Sequence, residues 1–130
     1  MTSDIQEERP LKGLNLVCAD DEPIALTILA EILTAAGAIV RTAKNGAQAI
    51  ELIHNHPTDA VLLDIQMPVM DGLTAIQILR GEGFDKQIIA VTAASKHEAQ
   101  AILDSGADEY ISKPVLAADL VAIIQQGRIA

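Results

Sequence analysis

The sequence predicts an α/β fold in which a five-stranded parallel sheet is covered by helices on both faces. Short aliphatic runs alternate five times with segments of helical periodicity, and the links between them are brief. Half of the 130 residues are hydrophobic, yet Phe84 and Tyr110 are the only Phe, Tyr or Trp, so small aliphatic side chains must fill the interior. Polar residues stand where four of the aliphatic runs stop, and parallel sheets bind ligands outside that edge.

Taken in order, residues 1–12 read as a polar leader or linker, 13–127 as one domain and 128–130 as a tail. Leu14–Ala19 is the first strand. Pro23, favoured in a first helical turn, opens a helix with Ala25, Ile28, Leu29, Ile32 and Ala36 expected inward, and Gly37 suits its end. Ala38–Thr42 is the second strand. Asn45-Gly46 starts the second helix, whose core stripe is Ala49, Ile50 and Ile53, before Pro57. Ala60–Leu63 is the third strand, and Asp71-Gly72 leads into a helix with Leu73, Ile76 and Leu79 inward, closed by Gly81-Glu82-Gly83. Ile88–Val91 is the fourth strand. Ser95-Lys96-His97-Glu98 has capping-box spacing, so a fourth helix is expected from there toward Gly106. Glu109–Ile111 is the fifth strand and Leu116–Gln126 the fifth helix, with Leu120, Ile123 and Ile124 inward.

Composition narrows the function. A net charge of −9, with 9 scattered Lys and Arg, opposes direct nucleic-acid binding. No apolar run reaches the roughly 18 residues of a membrane span, and Met1–Pro10 is too polar for a signal peptide. A cytoplasmic protein is expected. The single Cys18, inside an apolar strand, reads as a small core residue. His54, His56 and His97 read as solvated side chains, and Met67 and Met70 as packing beside the strand-end cluster.

The cluster itself carries chemistry. Asp20-Asp21 follows the first strand, Asp64 the third, Thr92 the fourth and Lys113-Pro114 the fifth. Each alone has a modest explanation: a helix-dipole acid, a turn former, a strand-edge hydroxyl, a solvated lysine. On one sheet edge they make three acids able to hold a hard cation, beside a hydroxyl and an ammonium able to bind an anion. The repulsion among the acids requires a cation or Lys113 to offset it. A residue before Pro is extended, which fixes the chain where the ammonium must point back to the cluster.

With Asp64-Ile65-Gln66-Met67-Pro68-Val69-Met70-Asp71-Gly72 intact, this spacing resembles the CheY-like receiver domain of two-component response regulators, over about Leu14 to Gln126. The Asp64 segment is especially similar to receivers of hybrid histidine kinases. The resemblance implies a flavodoxin-like sheet of order 2-1-3-4-5. It implies phosphorylation of Asp64, Mg²⁺ held by Asp21, Asp64 and the Gln66 carbonyl, and Asp20 acting through the metal's waters. It also implies that Lys113 pairs with the phosphoryl oxygens, that Thr92 hydrogen-bonds them, and that Tyr110 is the aromatic switch. A cis Lys113–Pro114 bond is expected on the same ground.

The implied partners are a histidine kinase or phosphotransfer protein as donor and a downstream protein on the helix 4–strand 5–helix 5 face. The implied state is a monomer or weak homodimer that assists its own phosphorylation without being an enzyme in its own right. Other classes fit less well. Aspartyl-phosphate phosphatases carry a second Asp two residues after the nucleophile, where this chain has Gln66. A degenerate receiver acting as a constitutive binding module is opposed by the intact polar set. Acidity and the absence of an output segment in these residues oppose a DNA-binding regulator.

Overall fold

The computed structural model describes residues 9–93 and 96–129. Five strands, β1 (Asn15–Ala19), β2 (Ile39–Ala43), β3 (Ala60–Asp64), β4 (Gln87–Thr92) and β5 (Glu109–Ser112), alternate with five helices. The helices are α1 (Pro23–Ala35), α2 (Gly46–Asn55), α3 (Gly72–Gly81), α4 (Lys96–Asp104) and α5 (Ala117–Ile129). All strand pairs are parallel, in the expected order β2-β1-β3-β4-β5. β1 and β3 are neighbours from which the chain departs in opposite directions, and a crevice opens between their carboxyl ends.

Strand alternation divides the interior into two layers. Val17, Ala19, Val61, Leu63, Ile88 and Ala90 face α2, α3 and α4, where Ile50, Ile76, Leu79 and Ile102 meet them. Leu16, Cys18, Leu62, Ile89, Val91 and Ile111 face α1 and α5, against Leu29, Leu33, Leu120 and Ile124. Both faces of the central strands are therefore covered, which explains why they read as unbroken aliphatic runs. Cys18 is buried and inert, its thiol pushed up to about 12 by desolvation. Asn45 and Asp71 cap α2 and α3, their side chains accepting from the Gln48 and Thr74 amides. Gly37, at φ +103°, lets α1 end with its Thr34 and Leu33 carbonyls bonded to the Gly37 and Ala38 amides.

Four expectations shift. The buried face of α1 is Leu26, Leu29, Leu33 and then Ala36, while Ile28 is 52% exposed. Pro23-Ile-Ala-Leu-Thr-Ile-Leu-Ala is apolar over so wide an arc that periodicity does not choose between adjacent stripes. Leu11, inside the expected leader, is wholly buried and its amide bonds the Ala36 carbonyl, so the packed unit begins before residue 13. α5 continues to Ile129, through two of the three expected tail residues. β2 is displaced one residue from the expected Ala38–Thr42. Ser95 of the expected capping box lies outside the described residues. No helix among the described residues is long and apolar enough to cross a membrane.

Candidate functional site

The crevice at the carboxyl edge collects the predicted residues from four strand ends. Asp20 and Asp64 are buried and Asp21 is exposed, and carboxylate oxygens of all three lie within 4.8 Å of one another. Lys113 Nζ stands 3.2 Å from Asp20 Oδ2 and 3.2 Å from Asp64 Oδ2, bridging the acids of β1 and β3 from the far side of the sheet. The remaining oxygens are held by the turns: Glu22 N–H donates to Asp20 Oδ1 at 2.9 Å, and Gln66 N–H to Asp64 Oδ1 at 3.3 Å. Thr92 is buried at the end of β4, where its carbonyl accepts from the Lys113 amide at 2.8 Å. The Lys113–Pro114 bond is cis, as expected.

The electrostatics are those of crowded acids with one close ammonium. Burial, followed by the Asp20 charge, raises the Asp64 pKa, and the Lys113 charge and hydrogen bond and the Gln66 amide only partly oppose this. For Lys113, burial works against the charged form. The Asp20 hydrogen bond, the charges of Asp64 and Asp20 and the Asp64 hydrogen bond together outweigh burial and raise its pKa. The ammonium is locked on and the carboxylate is strained toward protonation. An all-oxygen donor set with surplus negative charge suits Mg²⁺, which takes carboxylates and keeps several waters.

The loop that follows Asp64 is tightly built. Gly72 sits so close to β3 that a Cβ there would collide with the Asp64 carbonyl oxygen. Val69, 87% exposed, has φ +69°, and the Met70 amide bonds the Pro68 carbonyl at 2.7 Å around it. A β-branched residue in the left-handed region is an outlier that persists only where its surroundings over-determine it. Sequence reasoning read Gly46 only as a helix start. Its amide bonds the Met70 carbonyl of this loop at 2.9 Å, and the Asn-Gly and Asp-Gly pairs were the available signal of close backbone approach.

Tyr110 is half-buried against the α2–α4 layer, and Ile111 is buried in the other. Met67 is buried and Met70 partly so, as packing predicts. His54, expected to be free in solvent, pairs with Glu82 Oε1 at 2.8 Å, both side chains remaining well exposed. His97 is exposed.

The geometry agrees with kinship. Residues 16–125 match the response regulator receiver domain family, and the chain belongs to it. The sensor histidine kinase GacS of Pseudomonas protegens is 33% identical over 128 residues, covering 94% of this chain but 14% of GacS. The response regulator MprA of a Mycobacterium species is 38% identical over 110 residues, covering 84% of this chain and 48% of MprA. The chain thus spans less than half the length of either relative. Among solved structures, the receiver domain of sensor histidine kinase PA1611 from Pseudomonas aeruginosa, which has a magnesium ion coordinated in its active site cleft, superposes with a TM-score of 0.84. It is 30% identical, with 91% of this chain and 99% of that one covered.

Proposed function

We propose that this receiver accepts a phosphoryl group on Asp64 from a partner's phosphohistidine, with Mg²⁺ in the acidic crevice, and signals through the α4–β5–α5 face. The observation that carries this reading is the meeting of Asp20, Asp21 and Asp64 within 4.8 Å, with Lys113 at 3.2 Å from two of them. The ion coordinated in the PA1611 receiver supports the assignment of Mg²⁺. Asp21, Asp64 and the Gln66 carbonyl would hold the ion, and Asp20 would reach it through water. The bound ion supplies positive charge to the transferred group.

In the transfer, an Asp64 carboxylate oxygen bonds to phosphorus as the P–N bond to the donor imidazole breaks. The imidazole keeps the electron pair and takes up a proton. Little covalent chemistry is asked of the protein, so alignment and charge dominate. Lys113, already aimed at Asp64, pairs with a phosphoryl oxygen. The Thr92 hydroxyl donates to another, and its movement makes room for the half-buried Tyr110 ring to swing inward. The donor is a histidine kinase or phosphotransfer protein, the receptor a downstream protein, and neither nucleic acid nor membrane is contacted. The domain, from Leu11 to the end of α5, works in the cytoplasm as a monomer or weak homodimer.

Incubation with a small phosphodonor and Mg²⁺ should add one hydroxylamine-sensitive phosphate, and both Asp64→Asn and removal of Mg²⁺ by chelation should abolish it. Undiminished labelling of Asp64→Asn would sink the assignment.

A further inference from the structure

The corner between β2 and α2 contributes no side chain to the acidic crevice, yet it is bonded to both loops that form it. The Ala43 carbonyl accepts from the Asp20 amide at 3.1 Å. Three residues on, the Gly46 amide donates to the Met70 carbonyl at 2.9 Å. Between these two bonds the corner is locked on itself: Gln48 N–H donates to Asn45 Oδ1 at 2.9 Å, and Lys44 N–H to Gln48 Oε1 at 2.9 Å. A rigid segment therefore ties the Asp20-Asp21 turn to the loop that follows Asp64. At the loop end of this tie lies Val69, whose left-handed backbone needs outside support.

There is no slack at the contact. A Cβ on Gly46 would stand 2.8 Å from the Met70 carbonyl oxygen, 3.0 Å from Ala75 Cβ and 3.0 Å from Met70 Cγ. Any side chain at position 46 must push the loop away from α2. The same loop carries the Gln66 carbonyl, four residues before Met70. We infer that Gly46 is a positioning residue for the metal site: its side-chain-free contact with Met70 sets the spacing between the Asp20-Asp21 turn and the Asp64–Gln66 segment, and so the affinity for Mg²⁺. The inference rests on the crevice being a Mg²⁺ site, as proposed above. The Mg²⁺ ion demands near-ideal octahedral geometry, so it punishes a mis-spaced donor set more than a larger cation does.

Calorimetric titration with Mg²⁺ and with Ca²⁺ tests this. Relative to wild type, Gly46→Ala should bind Mg²⁺ about 10-fold or more weakly, the range seen when groups behind metal ligands are altered, with a smaller loss for Ca²⁺. At saturating Mg²⁺ its maximal rate of labelling by a small phosphodonor should return toward wild type. Gly81→Ala is the matched control, because nothing lies within 4 Å of a Cβ there. It should leave both affinities unchanged. If Gly46→Ala does not fold, amide exchange in wild type decides: saturating Mg²⁺ should slow Gly46 N–H by several-fold more than Ala49 N–H, which bonds within α2's own first turn. Wild-type Mg²⁺ affinity in folded Gly46→Ala, or equal slowing at Gly46 and Ala49, overturns the inference and leaves the metal site standing. Wild type that binds no Mg²⁺ removes both.

Discussion

At the amino edge of the sheet, charged side chains are spent on the backbone; at the carboxyl edge they are aimed at one another. Arg80, at the end of α3, donates to the Gly106, Phe84 and Lys86 carbonyls at 2.8–2.9 Å and to Asp108 Oδ2 at 2.9 Å. That Asp108 oxygen also accepts from the Ile88 amide at the start of β4. Asp59 accepts from the Asn15 amide at the start of β1, and Gln87 donates to the Ile123 carbonyl of α5. The Arg80, Asp108 and Asp59 bonds fasten loops to strand and helix ends, and the Gln87 bond fastens the start of β4 to α5. Thirty residues of sequence separation or more change nothing in the rule: polar groups there complete the fold. At the carboxyl edge, Asp20, Asp21 and Asp64 crowd together with Lys113 between two of them, a set that no folding requirement explains. The contrast teaches where stability is kept and where it is given up for chemistry.

The strongest test of that contrast removes the centre of the amino edge. Arg80→Ala takes the guanidinium from three backbone carbonyls, leaves Asp108 with only the Ile88 amide of its two donors, and uncovers the Phe84 ring, which the guanidinium overlies at 5.9 Å. Charge-assisted hydrogen bonds of this kind contribute about 1.5–3 kcal/mol each, with partial replacement by water at exposed positions. A net loss of about 3 kcal/mol in denaturant unfolding is expected, with Mg²⁺ affinity unchanged. A loss below about 1 kcal/mol would erase the distinction between the edges.

The complementary test lies at the carboxyl edge and has the opposite sign. Asp64→Asn removes a carboxylate whose pKa is raised by burial and by Asp20, so in chelator the variant should be more stable at pH 7, by on the order of 1 kcal/mol. The raised folded-state pKa means that the native protein binds the extra proton first, so wild-type stability rises as pH falls through that pKa toward the ordinary 3.8. The advantage of Asp64→Asn should therefore shrink on acidification and stop changing below about 3.8. Lys113 does not confuse this window, because a raised lysine pKa leaves its contribution fully in place below 10.5 and removes it only as pH rises above that. An advantage that is constant from pH 7 to 4 would show that Asp64 is not strained.

The two edges also differed in how far the sequence disclosed them. Asp64, Thr92 and Lys113 were legible because each ends an aliphatic run, and parallel topology brings such ends together without knowledge of the loops. The faces of α2 and α3 were legible because their apolar stripes are narrow. α1 was not: Ile24, Ile28 and Ile32 stand beside Leu26, Leu29 and Leu33, and it is the leucines that are buried with Leu16, Cys18 and Leu11. The Arg80–Asp108 bond spans 28 residues between two loop-proximal polar side chains, and no periodicity marks such a partner. Gly46 was visible as a helix start, but its contact with Met70 depends on how two loops meet.

The smallest expected effect asks whether any ion pair at the amino edge would serve, or only those that cap the backbone. His54 Nε2 and Glu82 Oε1, at the ends of α2 and α3, are 2.8 Å apart with side chains 53% and 44% exposed. Neither atom closes a loop onto a strand, and exposed pairs contribute about 0.2–1 kcal/mol at most. Part of any gain is offset by the rotamer freedom that two long side chains lose. His54→Gln keeps a polar group that can still reach Glu82, and should change unfolding free energy by less than about 0.5 kcal/mol at pH 7. Raising the salt concentration should not enlarge that difference, since both groups lie in solvent. The same salt should leave most of the Arg80→Ala loss intact, because the three carbonyls that Arg80 serves are neutral. If His54→Gln instead cost as much as Arg80→Ala, the stability of this edge would reside in charge pairing as such, and the contrast drawn between the two edges would fail.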